Sequence, residues 1–147
     1  MDLSHLDHWH FECTEDVCDR LLGLVLEGKK KATSSSAEAY RNEGEPLPRP
    51  GDMSVITDWA GRPRCVIRTK DVILLPFRDM TFELAALEGE DDSLDSWREN
   101  HRTFFLKDGE ESGYVFSEDM EVVFEIFEVV ERLPFPPLRT ETAGDGQ

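Results

Sequence analysis

The chain has 147 residues, a length that favours one domain, and 39% of them are apolar, which is enough for a hydrophobic core. Its net charge of −16 argues against sequence-independent binding to duplex DNA, because neutralisation of phosphates supplies most of that affinity. The charge does not exclude recognition of one nucleotide in a local basic pocket.

The charges are unevenly distributed. Residues 29–70 carry nine Lys and Arg against five Asp and Glu, whereas residues 71–147 carry six against twenty. An anionic ligand would therefore dock on the first of these segments. The acidic excess of the second segment is typical of a surface that keeps a protein soluble.

Three cysteines, Cys13, Cys18 and Cys65, form an odd set without the spacing of a disulfide framework, which predicts reduced thiols and a cytoplasmic location. Residues 1–10 lack the apolar run of a signal peptide, and no apolar stretch is long enough to span a bilayer. We expect no membrane association, and the sequence does not indicate an oligomeric state.

A helix is predicted from Thr14, an N-cap followed by two acidic residues, to Gly28, which suits a left-handed C-terminus. Further helices are predicted over 37–42, over 80–88 with Asp79 as cap, and over 93–107 with Gly109 as stop. Strands are predicted at 33–36, 53–58, 64–75 and 122–133, with a hairpin turn at 59–63 and either a bulge or a doubly buried strand end within 72–75.

This order predicts an α+β fold in which a small antiparallel barrel, or strongly curved sheet, is flanked by helices. Residues 1–11 are interpreted as an N-terminal extension, residues 12–133 as the domain and residues 134–147 as a disordered tail.

The most informative segment is Gly28-Lys-Lys-Lys-Ala-Thr-Ser-Ser-Ser36, which concentrates ammonium groups and hydroxyls in an acidic protein. It predicts a site for a polar or anionic ligand. The alternative is that Lys29–Lys31 only complement the negative end of the preceding helix.

Several motifs together resemble the ASCH domain family over residues 12–132. They are the segment just described, Pro50-Gly51-Asp52, Glu88-Gly89-Glu90, the run Ser93–His101 and the strand Phe127–Val130. The resemblance implies a PUA-like barrel with a cleft near the G-x-K-x-x-T loop. In the smaller amidohydrolases of the family, the matching residues hydrolyse an N4-acylated cytidine; here they are Lys30, Thr33 and Glu90. Other members bind or cleave RNA.

Thr33 is a weak nucleophile that needs a base, and Lys30 could serve if it were neutral. Neighbouring lysines favour the neutral amine, whereas a carboxylate such as Glu90 opposes it. The hypothesis is that Thr33 attacks, Lys30 activates it and Glu90 supports them; the sequence leaves open which electrostatic effect prevails.

Other polar and aromatic residues are candidates for ligand binding. Ser34 and Ser35 could donate to a phosphate or a base edge, Tyr40 and Trp59 could stack on a base, and Lys29, Arg68 and Arg98 could contact phosphate. Each has a plain structural alternative: a serine-rich strand, aromatic packing, or a solvated charge paired with a nearby acid.

Three further groups of residues are expected to have structural rather than functional roles. Trp97 and His101, four residues apart on a helix, are expected to touch as a buried aromatic pair, and the acidic run 88–92 is expected to be a solvated loop. His8, His10, Cys13 and Cys18 lack a zinc-site spacing, so we predict neither a metal nor a cofactor.

The sequence therefore predicts a domain that binds a nucleoside or single-stranded RNA near residues 28–36 and that could hydrolyse a modified pyrimidine nucleoside. The alternatives are a ribonuclease that uses the same cleft and a non-catalytic RNA-binding module in translation or transcription control.

Overall fold

The computed structural model describes residues 3–11 and 14–134. The helices are α1 (Glu15–Leu26), α2 (Ala37–Glu43), α3 (Phe82–Ala85) and α4 (Leu94–Ser112), with 3₁₀ turns at Phe77–Asp79 and Ala86–Glu88. The strands are β1 (Asp7–Trp9), β2 (Ala32–Ser36), β3 (Met53–Thr57), β4 (Pro63–Pro76) and β5 (Glu121–Arg132). The disordered tail predicted from residue 134 lies almost wholly outside the described residues.

One sheet, with the strand order β1-β3-β4-β5-β2, curls into a half-barrel. All pairs are antiparallel except β1 with β3. The predicted α+β, PUA-like architecture is confirmed. The predicted bulge within 72–75 is wrong in position, because the register of β4 against β5 shifts at Val66/Ile67 and Thr69/Asp71 instead.

The strand β1 was not predicted, because three residues are too few to show a period. Its residues pair with Ser54–Ile56, and Trp9 Nε1 donates to Ser54 Oγ at 3.0 Å. The segment 1–11, interpreted above as an extension, therefore contributes an edge strand to the sheet.

The two faces of the sheet are covered by different helices. On one face, Trp97 and Phe105 of α4 pack with Phe77 and Phe124. On the other, the apolar side of α1 packs with Phe127 and Ile67. Burial of these two apolar surfaces is the main force that holds the helices to the sheet.

Each helix begins after a residue whose side chain caps its first turn. The predicted start of a helix is right where that capping residue was identified. Thr14 caps α1 as predicted. The helix α3 is capped by Thr81 rather than by Asp79. Gly109 does not end α4, which continues to Ser112 and stops before Gly113 at a positive φ. None of the helices in the described part of the chain is long and apolar enough to cross a membrane.

Glycine is required at position 109 because the chain packs closely there, and not because the helix ends there. A Cβ at this position would lie 2.4 Å from the carbonyl oxygen of Tyr114, whereas a Cβ at Gly23 in α1 would meet nothing within 4 Å. The two helical glycines therefore form a matched pair.

We expect Gly109→Ala to lower the free energy of unfolding by about 1–3 kcal/mol, because overpacking outweighs the better helix propensity of alanine. Gly23→Ala should raise it by up to about 1 kcal/mol. Urea denaturation followed by circular dichroism measures both. A Gly109→Ala protein as stable as the wild type would contradict this assignment.

Candidate functional site

A buried carboxylate lies at the centre of a cluster of polar residues between β2 and α4. Glu88 is 1% exposed. Its Oε2 accepts from Ser34 Oγ at 2.7 Å and from Trp97 Nε1 at 2.8 Å, and its Oε1 lies 3.1 Å from Lys30 Nζ and 3.2 Å from His101 Nε2. Both oxygens are therefore saturated by side chains from two segments of the chain, residues 30–34 and α4.

Lys30 links this carboxylate to a second one. Its Nζ, on a residue that is 2% exposed, donates to Glu88, to Glu90 Oε2 at 2.5 Å and to the Ala32 carbonyl at 2.9 Å. The three N–H groups of an ammonium thus have three acceptors. The Glu90 side chain is 17% exposed, so the network of Lys30, Ser34, Glu88, Glu90, Trp97 and His101 reaches solvent there.

Two glycines allow the segments to meet. Gly28 ends α1 with φ +82°, after which the chain turns into β2. Gly89 has φ +71°, and a Cβ there would lie 2.3 Å from the carbonyl oxygen of Lys29. Since any larger side chain would collide with this backbone, glycine allows Glu88 and Glu90 to close on Lys30.

The charges in the network stabilise one another. Burial alone would raise the pKa of Glu88, but the charges of Lys30 and His101 outweigh burial and hold that pKa well below its usual range. Burial would lower the pKa of His101, but the Glu88 carboxylate raises it above the ordinary value.

The hydrogen bonds of His101 also favour its protonated form. Nδ1 lies 2.9 Å from the Trp97 carbonyl oxygen, and Nε2 faces the Glu88 carboxylate. Both partners are acceptors, so an imidazolium satisfies both contacts. The ring also stacks on Trp97 with centroids 4.1 Å apart, as predicted for this pair.

Thr33 is not part of this network. Side chains alternate along β2, so Ala32, Ser34 and Ser36 face α4 whereas Thr33 and Ser35 face the other way. We call this second side, with Thr33 and Ser35, the open face of β2. Within the described residues, the Thr33 hydroxyl makes no hydrogen bond to Lys30 or Glu90.

Of the predicted ligand-binding residues, Ser35 and Tyr40 lie together on the open face. Ser35 Oγ is 3.5 Å from the Tyr40 hydroxyl, whereas Ser34 is buried against Glu88. The remaining predicted residues lie elsewhere.

Lys29 is 68% exposed beside Glu27. Arg68 pairs with Glu128, and Arg98 donates to the Arg78 carbonyl. Trp59 lines a shallow groove of about 290 Å³ that includes none of Lys30, Thr33 or Glu90.

The comparisons with known proteins agree with this architecture. A family model described as ASCH domain matches residues 7–131. The chain belongs to the ASCH family.

Two solved structures support the assignment. The ASCH domain from Lactobacillus crispatus JV V101 is 36% identical, with a TM-score of 0.78 over 86% of this chain and 81% of that chain. Protein EF3133 from Enterococcus faecalis V583 is 34% identical, with a TM-score of 0.82 over 90% of this chain and 80% of that chain. Comparison with curated proteins gives no significant match.

In this ASCH domain, sequence reasoning missed Glu88. The acidic run 88–92 was expected to be solvated, yet Glu88 is among the most buried residues. Two features pointed to its burial: the apolar positions that precede it on α3, and a lysine, a tryptophan and a histidine elsewhere that needed an acceptor. For the cluster His8, His10, Cys13 and Cys18, Cys13 lies outside the described residues.

We expect Glu88→Gln to destabilise the ASCH domain by about 3–5 kcal/mol, because it leaves the buried charge of Lys30 without one of its partners. Glu83→Gln, at an exposed position of α3, is the control and should change stability by less than about 0.5 kcal/mol. Urea unfolding measures both. Equal effects of the two substitutions would show that the Glu88 contacts contribute little.

The raised pKa of His101 predicts that the stability of the folded domain depends on pH. Because the pKa is raised in the folded state, the stabilisation is complete below the ordinary value of 6.5 and is lost as the pH rises through the folded value. The difference in Tm between the wild type and His101→Gln should therefore shrink from pH 6 to pH 9. A difference that stays constant across this range would contradict a protonated His101.

Proposed function

We propose that this ASCH domain binds a pyrimidine nucleoside on the open face of β2. The observation that carries the proposal is the set of hydroxyls from Thr33, Ser35 and Tyr40 on that face. Hydroxyls both donate and accept, and a tyrosine ring supplies a stacking surface, which suits a base and its ribose.

Charge pairing favours a small neutral ligand over a long RNA. Arg41, Arg62 and Arg68 are engaged by Glu38, Asp58 and Glu128. Phosphate binding would have to displace these carboxylates within a chain of net charge −16. A nucleoside requires no such exchange.

The experiment compares cytidine with a short single-stranded RNA by calorimetry at 50 and 200 mM salt. We expect cytidine to bind with an affinity that changes less than about twofold between the two conditions, since no phosphate is neutralised. The variant Thr33→Val should weaken binding, whereas Thr103→Val, an exposed threonine of α4, should not. Absence of cytidine binding, together with salt-sensitive RNA binding, would replace the proposal with an RNA-binding module.

A second candidate function is hydrolysis of an N4-acylated cytidine, and the 2.5 Å contact between Lys30 and Glu90 favours it. Because all three N–H groups of Lys30 are engaged, the accessible Glu90 carboxylate is the better proton acceptor. In this proposal the Thr33 oxygen attacks the acyl carbon, and because Thr33 faces away from the network its proton reaches Glu90 by way of solvent. The bond to N4 then breaks, N4 takes up a proton, and water releases the acyl group from Thr33.

Chromatography after incubation of N4-acetylcytidine with the pure protein tests this reaction. We expect conversion to cytidine, with a loss of at least about 100-fold in Glu90→Gln, as for removal of a general base. Glu83→Gln should keep the wild-type rate. If the acetylated nucleoside stays intact while cytidine still binds, the domain binds without hydrolysis.

A further inference from the structure

A second half-buried carboxyl group lies on the side of the sheet that carries Thr33. Glu125 of β5 is the direct cross-strand partner of Thr33 and faces the same way. Thr69 Oγ1 donates to Glu125 Oε2 at 2.6 Å. Glu125 therefore extends the open face of β2 across the neighbouring strand.

This carboxyl group has no cationic partner among the described residues, in contrast to Glu88. Burial raises its pKa, and the charge of Asp52 adds to this effect, although the hydrogen bond from Thr69 opposes them. A carboxyl group in such a position costs folding energy that no ion pair of the described residues offsets. Such groups concentrate at functional sites.

One oxygen of Glu125 is available to a ligand. Oε2 is occupied by Thr69, whereas Oε1 accepts no hydrogen bond from the described residues and is not sealed from solvent. Ser35 is a diagonal cross-strand neighbour of Glu125 on this face, and its Oγ lies 3.5 Å from the Tyr40 hydroxyl. The free acceptor therefore shares its side of the sheet with the hydroxyls of Thr33 and Ser35 and, through Ser35, with Tyr40.

A carboxylate acceptor discriminates between the two common pyrimidines. Cytosine presents an exocyclic N4–H donor, which Glu and Asp accept, whereas uracil presents the O4 acceptor in the same place. An N4-acyl cytosine keeps one N–H at this position, so the same acceptor suits it.

We infer that Glu125, with Tyr40 and Thr69, forms the subsite that recognises the exocyclic N–H of an aminopyrimidine base. The inference rests on the proposed nucleoside site and assigns its base specificity. Thr69 holds the carboxylate in place, Oε1 accepts from the base, and Tyr40 contacts the ring.

The test measures the binding of cytidine, uridine and N4,N4-dimethylcytidine by calorimetry. The wild type should prefer cytidine over both others by about tenfold, because only cytidine supplies an exocyclic N4–H donor. The dimethylated nucleoside makes this a test of the native protein, which does not depend on whether a variant folds.

The variant Glu125→Gln replaces one carboxylate oxygen by an amide donor and should bring the cytidine-to-uridine ratio close to one. Glu121→Gln, at an exposed position of the same strand, should keep the wild-type ratio. Circular dichroism and thermal melting confirm that both variants are folded.

The outcomes separate the two proposals. If the wild type binds none of the three nucleosides, the proposed nucleoside site and this inference both fail. If it binds cytidine and dimethylcytidine equally, or if Glu125→Gln keeps the cytidine preference, only the assignment of Glu125 is overturned. An equal loss of affinity for cytidine and uridine in Glu125→Gln would also overturn it, since that pattern indicates a structural role.

Discussion

The structure depends on how one buried carboxylate is neutralised. Glu88 is fully enclosed, and desolvation of a carboxylate is so unfavourable that the fold must supply compensating charge and hydrogen bonds. Lys30 and His101 provide the charge, and Ser34 and Trp97 provide further donors. These donors come from residues 30–34, which include the start of β2, and from α4, so formation of the network requires both elements to be in place. The network therefore couples the edge of the sheet to the helix that covers it.

The same network limits what Lys30 can do chemically. A lysine acts as a base only through a free lone pair, and an ammonium with three acceptors has none. The sequence hypothesis gave Lys30 the role of activator, whereas in the structure each of its N–H groups already has an acceptor, in Glu88, Glu90 and the Ala32 carbonyl.

Most of the fold could be predicted from local patterns. Thr14 and Gly28 marked the ends of α1, and alternation marked β4 and β5, because these features depend on neighbouring residues. The errors arose where distant residues decide the outcome. Gly109 has the chemistry of a helix stop, yet close packing against Tyr114 keeps it inside α4. The same distinction holds for the site. The contact of Lys30 with Glu90 was expected from the family motifs. The burial of Glu88 and the pairing of Thr33 with Glu125 could not be expected, because they depend on how distant segments pack and on the register of β2 against β5.

The alternation of β2 has a consequence for the evolution of this domain. Ser34 belongs to the buried network and Thr33 to the open face, and they are adjacent in the chain. An insertion or deletion of one residue between Gly28 and Ala32 would move each side chain of the strand to the opposite side of the sheet. The buried side chains and the half-buried side chains of the strand would then change places in a single event. The fold therefore depends more on the length of this short connection than on the identity of its exposed residues Lys29 and Lys31.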